Sequence, residues 1–355
     1  MNKLNKLFVV ILSSLFISAQ AFAGELAVTG SAKASYAING GDSSGKGLGI
    51  SNELKFAADG ELDNGFTWSY FMELDGNDGG AHDNDDSQIA FGMGDLGTLK
   101  LNDSEGGLST ETGYGIGAMG VGDDYANTDD MVGNDEDISG SGNIEYNTAS
   151  GLLPFGLAAK VAYVPNNGDT DNNSYKNGGG ENTQGITGDT NTMYQVTAAP
   201  IAGLKIGADY ADFQGAENHD QAQSGGNVSL QYAFGNFKVG YMQGFTEKGK
   251  ATYADGDGSS YDSYEYDAMG VELAVNDQLS VSYSTEEHEA KDKGQIAATK
   301  TTRTTKIVTA ESDVIMIAYN MGGATVGLTH VDAANSEFTA GKDETKTVAS
   351  IAMEF

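Results

Sequence analysis

Between Asn102 and Ile138 the chain carries ten carboxylates and no Lys, Arg or His: Asp103, Glu105, Glu111, Asp123, Asp124, Asp129, Asp130, Asp135, Glu136 and Asp137. Such a run can hold a hard divalent cation, act as an acid–base pair, or draw mobile cations by its field. Covalent catalysis needs a nucleophile beside a base, and the chain has no Cys, no serine-nucleophile motif and no phosphate loop. Its four histidines are His82, His219, His288 and His330; none has metal-ligand spacing with another, and the first three fall in predicted loops. The cluster Glu286, Glu287, His288, Glu289 is a weak candidate for a divalent ion. Two Asp-rich stretches, starting at Asp169 and Asp255, resemble calcium loops but lack the Gly and Glu that an EF-hand requires. The chemistry therefore reads as non-enzymatic and without a cofactor, with at most weak Ca or Mg binding by acidic loops.

The lysines carry the second pattern. Lys33, Lys55, Lys100, Lys160, Lys205, Lys238 and Lys346 each sit on the polar phase of an alternating segment, as Lys55 does between Leu54 and Phe56. Alternation with period two is a strand with two unlike faces. A Lys on a lipid-facing strand position costs about 2–4 kcal/mol near the bilayer midplane, so in a membrane sheet these lysines must point away from lipid. The formal charge of −32 argues against partnership with nucleic acid or electrostatic binding to an anionic surface.

The elements that must position these groups are strands. Residues 1–23 read as a signal peptide: Lys3 and Lys6, an apolar stretch from Leu7 to Ile17, and the Ala21-Phe22-Ala23 cleavage site. In the remainder, 24–355, sixteen strands are predicted, starting near Glu25, Gly47, Gly65, Ser87, Gly97, Ser139, Pro154, Asn191, Gly203, Gly226, Asn236, Asp262, Gln278, Ser312, Ala324 and Glu344. Tight turns such as Asp63-Asn64-Gly65 and Gly235-Asn236 alternate with long polar connections: 76–86, 102–138, 165–190, 214–225, 247–261, 287–309 and 332–343. In an up-and-down sheet that parity puts all tight turns on one rim and all long loops on the other, the arrangement of an outer-membrane barrel. Aromatic residues near the strand ends, among them Phe66, Trp68, Phe91, Phe234, Phe237 and Phe355, with Tyr36, Tyr70, Tyr163 and Tyr210 opposite, fit interfacial girdles. The fold class is all-β: a transmembrane antiparallel 16-stranded barrel. The apolar phase switches within Tyr264–Val275, which predicts a bulge, and Asp313–Tyr319 is apolar on both phases. The 102–138 connection also holds Leu108, Tyr114, Ile116, Met119, Val121 and Met131, which a purely solvated loop does not need and a loop packed inside a barrel does.

The first strand (Glu25 to Gly30), the segment Ile89–Asp103 ("IAFGMGDLGTLKLND") and the terminal "KTVASIAMEF" ending in Phe355 together resemble the general diffusion porins of Gram-negative outer membranes. The resemblance implies a homotrimer of barrels in outer-membrane lipid and lipopolysaccharide, assembled by the barrel-assembly machinery through the Phe355 strand. It implies that the third loop folds inward and narrows the channel, with Asp103, Glu105, Glu111 and the Asp123/Asp124 pair facing Lys33, Lys55 and Lys100 on the wall. Asp129 and Asp130 of the same acidic run, and Lys160, Lys205 and Lys238 on the polar strand phase, are added to the expected constriction and wall. The family's arginine cluster is absent, since Arg303 is the chain's single Arg. The expected function is passive diffusion of small hydrophilic solutes and ions with cation preference. Two other readings stand beside it: a substrate-selective channel in which the wall lysines form an anion path, and a secreted acidic Ca-binding β protein.

Overall fold

A computed structural model describes residues 26–76, 82–103, 115–116, 142–165, 190–213, 223–247, 263–292 and 306–355. Sixteen strands follow one another in these residues: β1 (Ala27–Gly41), β2 (Gly45–Glu61), β3 (Thr67–Gly76), β4 (His82–Gly92), β5 (Thr98–Asp103), β6 (Asn143–Asn147), β7 (Ala158–Val164), β8 (Asn191–Ala198), β9 (Leu204–Phe213), β10 (Gln223–Phe234), β11 (Phe237–Glu247), β12 (Ser263–Ala274), β13 (Leu279–Asp292), β14 (Lys306–Asn320), β15 (Ala324–Ala334) and β16 (Glu344–Glu354). Each pairs antiparallel with its sequence neighbours, and β1 pairs β16 from Ser31↔Glu354 to Gly41↔Glu344, closing the barrel. Phe355 finishes the seam, since its N–H donates to Gly30 O at 2.9 Å and its carbonyl accepts from Gly30 N at 2.8 Å. A closed ladder leaves no strand edge unpaired.

The tight turns are built by local side-chain chemistry. The carboxamide oxygen of Asn64 accepts the Phe66 N–H, that of Asn276 accepts the N–H groups of Gln278 and Leu279, and that of Asn320 accepts the Gly322 N–H. These are Asx turns, in which the side chain satisfies backbone donors where the ladder ends. In the β4–β5 turn a 3-10 segment, Gly94–Leu96, leads to Gly97 at φ 90°, where any Cβ would strike the carbonyl of Asn147.

The two faces differ as alternation requires. On the outer phase Leu48, Ile50, Val228, Leu230, Ile315, Ile317 and Leu328 are exposed, and on the inner phase Ser282, Ser284, Ser312, Gln195 and Asn227 are buried. Phe234 and Phe237 stack at 5.8 Å across the β10–β11 turn, extended by Tyr232 at 5.6 Å from Phe234, so one girdle segment is a continuous aromatic strip. A compact soluble protein hides its large apolar side chains; here they form the outside, which overturns the secreted-protein reading.

Several local expectations need correction. No bulge occurs in β12, which runs in unbroken register against both β11 and β13; Tyr264 and Tyr266 belong to the inner phase, packed on Phe338 and His288. The irregularity lies instead between β3 and β4, where the register shifts between Met72 and Leu74, so that Asp85 and Asp86 oppose the single Glu73. On β14 the inner Val314, Met316 and Ala318 pack with Val331 of β15 on the inner wall, while Ile315 and Ile317 are exposed outside. The 287–309 connection is shorter than expected because β13 runs to Asp292 and β14 begins at Lys306; likewise β4 begins at His82. Pro154 opens a 3-10 turn and β7 begins only at Ala158.

Ile317 sits among Val281 and Leu328 on the outer face. Refolding Ile317→Lys into lipid vesicles is expected to cost about 2–4 kcal/mol relative to wild type. Ser35→Lys, on the half-exposed inner face of β1, changes stability by less than about 0.5 kcal/mol. Urea midpoints measured on both variants check this pair of outcomes.

Candidate pore and its charged wall

The alternation of each strand brings the sequence's lysines to one surface. Lys33, Lys55, Lys100, Lys160, Lys205 and Lys238 all lie on the inner phase, opposite inner-phase partners on adjacent strands: Lys33 on Ser51, Lys55 on Glu73, Lys100 on Glu145, Lys160 on Gln195, Lys205 on Gln231 and Lys238 on Glu272. Three of these pairings are ion pairs within the wall itself. Lys55 Nζ reaches Glu73 Oε2 at 2.8 Å, Lys100 Nζ reaches Glu145 Oε1 at 3.1 Å, and Lys238 Nζ reaches Glu272 Oε2 at 2.9 Å. In each pair the ammonium is the more exposed member and the carboxylate lies behind it. Glu73, Glu145 and Glu272 were missed by sequence reasoning. The available signal was an acid on the polar phase of a strand neighbouring a lysine strand, but it becomes a contact only once the register is known.

Of the acidic loop positions, Asp103 ends β5, and Glu105, Glu111, Asp123, Asp124, Asp129 and Asp130 lie outside the described residues. Two residues of the same connection, Gly115 and Ile116, are described, and both lie against the inner wall. Gly115 meets the side chain of Gln231 on β10, so closely that a Cβ would collide with it. Ile116 is buried, and its Cγ2 lies 2.8 Å from where a Cβ on Gly270 of β12 would stand. Glycine at position 270 is what lets this apolar side chain reach the sheet. The connection that leaves β5 therefore reaches into the barrel interior and touches β10 and β12.

The interior is asymmetric. Inner-phase residues of β1–β3, such as Ser31, Lys33, Ser35, Lys55 and Phe71, are half-exposed. On β8 to β14, Asn191, Gln195, Asn227, Ser229, Ser282, Ser284 and Ser312 are buried, while Lys205 and Lys238, close to the tight turns, stay open. Water thus has access along the β1–β3 wall, opposite the wall that receives Gly115 and Ile116. Gly115 and Ile116 seated on one inner wall, and a wet, charged wall opposite, are parts expected of a channel.

The family described as Gram-negative porin matches residues 7–310. The chain belongs to that family. Solved porins share its architecture: an OmpF from Salmonella typhi in complex with daunomycin is 11% identical with a TM-score of 0.65, over 94% of this chain and 98% of that one. A porin refined at 1.8 Å resolution is 12% identical with a TM-score of 0.57, over 93% and 100%. The outer-membrane channel DcaP of Acinetobacter baumannii is 12% identical with a TM-score of 0.60, over 95% and 98%. At such identities the likeness is one of fold. No curated protein matches the chain. As a porin it is a multi-pass β-barrel of the Gram-negative outer membrane and an outer-membrane diffusion channel.

The histidines do not form a metal centre among the described residues. Residue alternation splits the Glu286–Glu289 cluster: Glu286 and His288 point inward, whereas Glu287 and Glu289 are on the outer phase, and Glu289 pairs with Lys291 at 2.8 Å. His288, expected in a solvated loop, is buried in β13 against the ring of Tyr266 at 4.4 Å, with Nε2 3.7 Å from Glu286. His330 lies on the outer phase of β15 and bonds Thr347 Oγ1 at 2.7 Å through Nδ1.

The seat of Ile116 gives a direct handle on the pore. Gly270→Val displaces Ile116 from the sheet toward the open side, and the expected outcome is a lower single-channel conductance in planar bilayers without a change in ion preference.

Proposed function

We propose that this porin forms a water-filled pore for small hydrophilic solutes and ions, prefers cations, works as a homotrimer, and is not an enzyme. The observation that carries the ion preference is the pairing of Lys55, Lys100 and Lys238 with wall carboxylates, which removes these three ammonium groups as net positive charge. The chain's excess of 51 acids over 19 bases, ten of the acids in the third connection, then sets the sign of the field that a permeating ion meets. The same pairing counts against the anion-path reading, which needs those lysines uncompensated.

Trimeric assembly is supported by a similar fold solved as a trimer form, that of OmpT, an outer membrane protein of Vibrio cholerae, 11% identical with a TM-score of 0.59. In this reading residues 1–23 are removed on export and 24–355 form the barrel. Lipopolysaccharide and outer-membrane lipid surround it, and the terminal Phe355 strand, which seals the seam with Gly30, is the segment presented to the assembly machinery. No cofactor is part of the proposal, and divalent ions bind the acidic loops only weakly.

Reversal potentials across a planar bilayer in a tenfold KCl gradient test the ion preference: a potential of the sign for potassium is expected, and one of the sign for chloride overturns it. Closure of the conductance in three equal steps is the outcome expected of a trimer.

A further inference from the structure

We infer that Glu73, seated at the β3–β4 bulge, is a selectivity-determining residue of this pore: it neutralises a lysine that Phe71 holds fixed against the water path. The inference rests on the channel reading above and names a residue that sets its ion preference. Four observations converge on it. Lys55 and Glu73 are directly opposite each other on β2 and β3, and their charged atoms are 2.8 Å apart. The Lys55 ammonium also lies over the Phe71 ring, 3.8 Å from its centroid, so it is held from two sides. The register shift of β4 falls opposite Glu73: β4 carries the extra residue, and Glu73 itself stays in regular register with Lys55 on β2. The pair stands on β2 and β3, within the open β1–β3 wall, seven residues up each strand from the Leu62–Phe66 turn. The other two wall pairs stand lower: Lys100 follows the Gly94–Leu96 turn by four residues and Lys238 is the second residue of β11.

The chemistry follows from exposure. The Lys55 side chain is 34% exposed and that of Glu73 only 11%. A passing ion therefore meets the lysine side chain first, and Glu73 is the carboxylate in direct contact with its ammonium. A free lysine would swing away from an approaching cation; one resting on an aromatic face cannot do so without losing that contact. Removing the Glu73 charge leaves a fixed positive group on the open wall. One unit charge at about 6 Å in a water-like medium changes an ion's occupancy about threefold, and salt screening trims but does not abolish this.

The test uses the full channel reconstituted in planar bilayers, with the ratio of potassium to chloride permeability taken from reversal potentials. Glu73→Gln is expected to lower that ratio about threefold. Lys55→Met is expected to raise it, and the double variant Lys55→Met with Glu73→Gln, which restores neutrality, is expected to return it to the wild-type value. Glu272→Gln, nearer the rim, is expected to shift it less than Glu73→Gln. An unchanged ratio in a conducting Glu73→Gln channel overturns the inference, as does a double variant that keeps the shift of the single one. Should Glu73→Gln fail to insert, Lys55→Met and the double variant still decide it: a ratio unmoved by Lys55→Met rejects the role. A wild-type channel that prefers chloride defeats the proposed cation preference, yet the variant shifts are read relative to wild type and judge Glu73 separately.

Discussion

A sheet with hydrocarbon on its outside can leave no backbone polar group without a partner, because lipid offers none. That constraint is met at the β1–β16 seam, where Gly30 and Phe355 exchange both of their hydrogen bonds and the last residue of the chain completes the ladder. Gly30 also makes room for this: a Cβ there would lie 2.8 Å from the Phe355 ring and 2.9 Å from the Glu53 carbonyl. Closure removes every edge at once, so the strands on either side of the seam can remain apolar outside without offering a template for aggregation.

Closure also divides the molecule's solvents. Once the outer phase belongs to lipid, every inner-phase position is committed to water or to whatever packs within the barrel. The wall answers this with local neutrality. Lysines that would repel one another across a narrow lumen are matched by carboxylates on the next strand, close enough for charge-assisted hydrogen bonds. The buried amides follow the same rule: Asn102 donates to Asn143 at 2.8 Å, and Asn227 bonds Asp209 through both its backbone and side-chain N–H groups. A ladder of such pairs satisfies the inner face's polar groups and holds it rigid.

The loop in turn depends on small residues in the sheet. Gly270 lets Ile116 approach the backbone of β12, and Gly115 itself is what fits beside Gln231. Apolar contact at Gly270 and buried polar side chains on one wall, with half-exposed side chains on β1–β3, make the two sides of the interior differ.

Much of this was legible in the sequence. Sixteen strands, most of the tight turns, and the inward phase of Lys33, Lys55, Lys100, Lys160, Lys205 and Lys238 follow from local patterns, because a strand's two faces are written in alternate residues and a turn in its Asn and Gly; the three-residue β1–β2 link breaks the expected parity of turns and loops. The tertiary structure alone decided what those side chains meet. The partners of Lys55, Lys100 and Lys238 are 18, 45 and 34 residues away in sequence and become neighbours only through cross-strand register. The bulge at Glu73, the inward place of Tyr264 and Tyr266 and the burial of His288 were misread or missed for the same reason. Alternation states which face a residue occupies, but not what stands opposite it, and charge neutrality inside a pore is a property of pairs.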